Sequence, residues 1–315
     1  MTVLILEPLE AEVVQWLAER HDARFAPELV GDLDALVASL QGARALVAPP
    51  EVRVDADLLR RARTLRAIGR ASGGADNIDV EACRKAGVEI VRSQASTASA
   101  EAEFAIGALL SLLRRVPIEG SDGLRVGREL GCSTVGLLGL APSARVMTQL
   151  LQAFGTRVIG YDPSLHPNDG IWARWGIEVA SLAELVEQSD GLVLLLPYFD
   201  RYRGLLGERQ LESARPGQVL VSLSQSGLVD EQALARALRN GKLRAAWFDC
   251  LEPGWLDSGR PLHGIGSLQV TPRLAGTTRE SRVRAAWAVA RAIDSLLGVP
   301  TPAKGRGSEP VVDFY

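Results

Sequence analysis

The stretch Thr134–Ala144, TVGLLGLAPSA, runs from an aliphatic segment through a glycine turn into a helical pattern, and Asp162 closes the next aliphatic run, RVIGYD. A strand, a glycine turn, a helix and then an acid at the next strand end make up a dinucleotide fingerprint. The glycines let a pyrophosphate approach the backbone at a helix N-terminus, and the acid accepts ribose hydroxyls. Gly139 matches the first glycine. Ala141 stands at the second, where its methyl group obstructs the phosphate, and Pro142 removes an N–H that could bind it. Ala144, in the third place, affects only close packing. Ser143 and Arg145 are the residues that could offset the loss. Asp162 disfavours a 2′-phosphate, so NAD is expected rather than NADP, and weakly held. The plain alternative for Asp162 is a strand-end acid capping a turn.

Few other side chains offer chemistry. His21, His166 and His263 read as surface or loop residues. Cys83, Cys132 and Cys250 have neither metal nor redox spacing, so no metal is expected and the thiols read as reduced. Asp249 beside Cys250 argues against a nucleophilic thiol there. Trp172, Trp175, Trp247 and Trp255 could stack on a ligand, though large aromatics at strand ends are more often packing anchors.

Short β-branched runs alternate with amphipathic helical stretches along the chain. Val3–Ile5, Ala45–Val47, Ala67–Ile68, Glu89–Val91, Thr134–Leu138, Arg157–Tyr161, Gly191–Leu196, Val219–Ser222, Ala245–Phe248 and Leu268–Val270 read as strands. Glu10–Arg20, Leu33–Leu40, Ala183–Gln188 and Glu231–Asn240 read as helices between them. The alternation predicts an α/β fold with parallel sheets covered on both faces. A first block ends near Ser99, an apolar helix follows over about 100–115, and the second block ends near Gly276, before a last helix over 279–297.

Further segments extend the pattern: IGRASGGADNID (Ile68–Asp79), Glu103 and the helix after it, SLSQSGLVDEQAL (Ser222–Leu234), FDCLEP (Phe248–Pro253) and TPRLAGTT (Thr271–Thr278). Their order and separation resemble the D-isomer-specific 2-hydroxyacid dehydrogenase family over nearly the whole chain. The resemblance implies two Rossmann-like domains with the active site in an interdomain cleft. Residues 1–99 with 279–315 would form a discontinuous substrate domain, and 100–278 the dinucleotide-binding domain. It implies that the backbone amides of Gly73 and Gly74 receive a substrate carboxylate. It places Pro197 and Asp249 on the cofactor side, with Leu195 at a histidine position and Phe199 where a small hydroxyl residue usually stands. The family's chemistry needs an arginine to clamp the carboxylate, a histidine to move the proton and a glutamate to hold the histidine. Those positions carry Gln225, Arg273 and Glu252. Arg273 stays protonated at any usable pH and cannot carry a proton, and Gln225 brings no charge. The segment over 116–130 is shorter than the family's linker near the dimer contact, so a homodimer with an altered interface is expected.

Three functions follow from these residues. The first is a divergent enzyme that binds a small carboxylate or similar anion with Arg273, Gln225 and Glu252 and lacks ordinary dehydrogenase activity. The second is an NAD-dependent oxidoreductase of a 2-hydroxy or 2-oxo acid, with Glu252 or water delivering the proton. The third is a non-catalytic binding or scaffold protein. Glu252 with Arg273 also reads as a plain ion pair filling an abandoned site. The formal net charge of -3 over 315 residues gives no reason to propose nucleic acid or membrane partners. The start reads as a strand without a leader, so a cytoplasmic protein is expected.

Overall fold

The computed structural model describes residues 2–72, 77–93, 95–115, 118–119 and 121–298. The chain forms two compact units, one from the residues up to Thr97 together with those from Thr278 onward, the other from Ala98–Thr277.

The first unit holds five parallel strands, β1 (Val3–Ile5), β2 (Ala23–Phe25), β3 (Ala45–Val47), β4 (Ala67–Arg70) and β5 (Glu89–Arg92), in the order β2-β1-β3-β4-β5. β1, β3 and β4 are buried along their length, as strands covered on both faces must be. The last helix, Arg279–Gly298, returns to this sheet and buries Ala286, Val289, Ala290 and Ile293 against it. Gly69 on β4 permits that approach: a Cβ there would stand 2.7 Å from Val289 Cγ1.

The second unit opens with the apolar helix Ala98–Arg115 and a two-strand hairpin, β6 (Ile118–Glu119) and β7 (Arg125–Val126). The hairpin stands where the sequence showed only a short linker. The chain after it is pinned by an ion pair between Arg128 and the buried Asp190, which also meets Arg215 at 3.1 Å. Seven parallel strands follow: β8 (Thr134–Leu138), β9 (Arg157–Tyr161), β10 (Glu178–Val179), β11 (Gly191–Leu194), β12 (Gln218–Ser222), β13 (Leu243–Phe248) and β14 (Leu268–Val270). Their order is β10-β9-β8-β11-β12-β13-β14, which reverses direction between β8 and β11. The helix Pro142–Ala153 follows β8 and buries Ala144, Met147, Thr148 and Leu151. In open α/β sheets ligands bind beyond the carboxyl ends of strands beside such a reversal. The ends of β12, β13 and β14 are neighbours, so this order gathers Gln225, Glu252 and Arg273 from distant parts of the sequence.

Candidate active site

The turn after β8 depends on Gly139. Its φ of +97° lies in the region that favours glycine. A Cβ there would also sit 2.5 Å from the backbone N and Cα of Leu196, just past β11. The turn is tied to β9 by Gly139 N donating to Tyr161 O at 2.8 Å and Leu140 N donating to Asp162 Oδ2 at 2.8 Å. Asp162 is 7% exposed, and its Oδ1 accepts from Ser164 N and Oγ at 2.8 and 2.6 Å. The carboxylate therefore spends three donors on its own chain. Ala141 caps the helix 142–153 without a side-chain hydrogen bond. Ser143 is 1% exposed and its Oγ has no hydrogen-bond partner among the described residues. Its side chain faces the core, whereas Arg145 is exposed.

At the other end of the sheet, Asp249 performs a similar task. It is 6% exposed. Its Oδ1 accepts from Thr271 Oγ1 at 2.7 Å and Leu274 N at 2.8 Å, and Oδ2 accepts from Ala275 N at 2.9 Å. Its carbonyl accepts from Arg273 N at 2.6 Å. Asp249, on the cofactor side by the family resemblance, fastens the 271–275 loop. Arg273, held in that loop, has a φ of 57° and is the one non-glycine residue with positive φ among those described. Such a conformation costs an L-residue roughly 1–2 kcal/mol. Its side chain is exposed, and Nε donates to Cys250 Sγ at 3.2 Å.

Glu252 is half-buried, and its backbone N donates to Ser226 Oγ at 2.9 Å. Its carboxylate covers Gly227: Oε1 lies 3.0 Å from where a Cβ would stand. Among the described residues Glu252 makes no ion pair with Arg273, contrary to the plain ion-pair reading. Gln225 is exposed at the start of the turn 226–228. Gly73 and Gly74 lie outside the described residues.

Two residues escaped the sequence reading. Tyr198 lies over Gly227 beside Glu252, with Cε2 2.9 Å from the same Cβ point. Burial pushes its phenol up. Arg203, stacked 5.5 Å from the ring, opposes this, and the carboxylates of Asp200 and Glu252 add to it. Tyr198 therefore stays a protonated donor at neutral pH. The signal available was its place directly after Pro197 at the end of β11. Thr271 is the second, bridging Trp247 Nε1 at 3.3 Å and Asp249. Pro197 and Phe199 are exposed, and Leu195, at the family's histidine position, is buried.

The histidines stand elsewhere. His21 meets Asp294 at 2.9 Å in the first unit, His166 accepts from Asn168 N, and His263 contacts Leu256 O. Trp255, a stacking candidate in the sequence, is buried in the core. Among the described residues no group of three or more His, Cys, Asp or Glu could hold a metal, and no helix is long and apolar enough to cross a membrane.

Residues 114–275 match the family model described as the D-isomer specific 2-hydroxyacid dehydrogenase, NAD binding domain. The chain belongs to this family. An (S)-sulfolactate dehydrogenase of Chromohalobacter salexigens is 34% identical over 306 residues, 94% of this chain and 98% of the relative. A D-3-phosphoglycerate dehydrogenase of Mycobacterium bovis is also 34% identical, over 92% of this chain but only 56% of its own length. The chain thus spans about half the length of that relative. A crystal structure of a Thermus thermophilus protein superposes with a TM-score of 0.74 at 27% identity, covering 95% of this chain and 97% of that one.

Proposed function

We propose that this chain is a divergent member of its family. It binds a small carboxylate through Arg273, with Gln225 orienting the bound group. Ordinary oxidation of 2-hydroxy acids is absent or close to background. The observation that carries this reading is Arg273 itself. It stands at the position of the family's proton carrier, it cannot exchange its proton, and its strained backbone is fastened by Asp249. A cation kept in a costly conformation at a sheet's carboxyl edge suits anion binding by a guanidinium. Glu252 is then the group that holds or moves a proton, beside the phenol of Tyr198.

A second reading keeps redox chemistry, with Glu252 or water supplying the proton. It is favoured by the family's NAD-binding domain and by relatives named as dehydrogenases. The residues fit the cofactor in part. The positive-φ turn at Gly139 after β8 supports a phosphate-binding turn, and Asp162 at the end of β9 supports a ribose contact. The pyrophosphate end, with Ala141, Pro142 and the inward Ser143, offers fewer contacts, so NAD is held weakly and NADP is disfavoured. The nicotinamide, when bound, supplies or accepts hydride. A homodimer with an interface altered over 116–130, in the cytoplasm, completes the proposal.

Calorimetric titration of a 2-oxo acid into wild type and Arg273→Ala separates these ideas from a passive arginine. Affinity should fall about tenfold or more, as for loss of a charge-assisted contact of ~1.5–3 kcal/mol. Unchanged affinity would sink the anion-binding role of Arg273.

A further inference from the structure

Beside Glu252 lies a cavity of about 370 Å³, formed by the segment 250–257 and by Val270–Pro272. Both segments belong to the second unit, and neither the turn chemistry nor the proposed anion contact uses this space. Its size falls within the range of small-molecule pockets. Leu251, Leu256 and Val270 give it apolar walls. Leu256 is 46% exposed and Val270 38% exposed. Cys250, which lines the cavity, also receives Arg273 Nε at 3.2 Å. The guanidinium therefore lies beside one of the lining residues.

The cavity's charge is one-sided. Its ionisable lining groups, apart from the Cys250 thiol, are the carboxylates of Glu252 and Asp257, and no lining residue is basic. Asp257 folds back over the turn, with Oδ2 3.3 Å from where a Cβ of Gly254 would stand. Neither carboxylate has an ion-pair partner within 4.0 Å among the described residues. An anionic group at Arg273 finds a cation. A second anionic group extending into the cavity meets two like charges, which is destabilising at short range and screened by salt. An aliphatic group in the same place covers Leu251, Leu256 and Val270 and gains roughly 25 cal/mol per Å² of apolar surface removed from water.

We infer that this cavity receives the uncharged, aliphatic tail of a singly charged 2-hydroxy or 2-oxo acid and rejects a tail that carries phosphate or sulfonate. Asp257, Leu256 and Val270 set that choice. The inference rests on Arg273 as the carboxylate contact.

The test is calorimetric titration of 4-methyl-2-oxopentanoate and of 3-phosphoglycerate into wild type and Asp257→Lys. Asp257 is exposed, so the substitution leaves the fold intact. Wild type should bind the aliphatic acid about tenfold tighter at low salt, a factor of ten being ~1.4 kcal/mol, and the preference should narrow as salt is added. Asp257→Lys should tighten 3-phosphoglycerate about tenfold and leave the aliphatic acid within about twofold. Equal or tighter binding of 3-phosphoglycerate by wild type, or an unchanged ratio in Asp257→Lys, would overturn the tail assignment alone. Binding of neither acid would overturn the Arg273 contact, and the tail assignment with it.

Discussion

The two ends of the large sheet have been altered in different ways. At the β8–β9 end, Gly139 and Asp162 keep the form of a dinucleotide turn, while Ala141 and Pro142 follow it and the Ser143 side chain is buried. At the β12–β14 end, Asp249 fastens the loop, while the side chains of Gln225 and Arg273 are exposed. In both regions a buried acid accepts three donors from its own chain and fixes backbone. The lesson is that these acids maintain shape whatever ligand is present. The fold can therefore outlast a change of chemistry, which resides in the exposed side chains that the acids leave free to vary.

The strongest break falls on the first region. Gly139→Ala must move the Leu196 backbone and force a positive φ on a residue with a Cβ. We expect a loss of about 3–5 kcal/mol in denaturant unfolding. Ala141→Gly, two residues on, should change stability by less than about 0.5 kcal/mol and tighten NADH. Equal destabilisation by both would mean that the turn is not the rigid part of this end.

Asp249→Ala tests the second region. It orphans the Leu274 and Ala275 amides and the Thr271 hydroxyl, so a loss of about 3 kcal/mol is expected. Faster hydrogen exchange should be confined to 271–277. A loss under about 1 kcal/mol would show that the loop holds itself.

Arg273→Gly should have the smallest effect on stability, and of opposite sign. It relieves the left-handed strain, offset by the entropy of glycine, for a net gain of about 0.5–1 kcal/mol. Anion affinity should be lost in the same variant. A destabilised variant would show that Arg273 is a packing residue.

Much of this architecture was legible from residue patterns. The buried strands announced themselves because both faces are covered and their side chains are uniformly apolar, as in Leu192–Leu194 and Val219–Val221. The edge strands Ala23–Phe25 and Glu178–Val179 did not, since they are short and largely exposed. The hairpin over Ile118–Val126 was hidden because its pinning contact, Arg128 with Asp190, spans distant parts of the chain. Gly139 was readable because its turn has a local signature. The turn-capping alternative for Asp162 was legible beside the ribose one, whereas the donors that Asp249 takes from 271–275 were not, because a strand-end acid looks the same in sequence whatever loop it fastens. Tyr198 beside Glu252 depends on Gly227 lacking a side chain, a tertiary fact with no spacing to reveal it.

The most direct measurement is NADH oxidation by the wild-type chain with pyruvate, glyoxylate, hydroxypyruvate and 4-methyl-2-oxopentanoate, run beside Gln225→Arg/Arg273→His. Hydride arriving at a carbonyl leaves charge on oxygen that needs a proton or a well-placed cation as it forms, and losing general acid help costs on the order of 10²–10⁴ in rate. Wild type should show turnover at or near background with all four acids, and the double variant should raise it. Wild-type turnover in the common enzymatic range of about 1–10³ per second would contradict the claim that the proton-transfer site has been replaced.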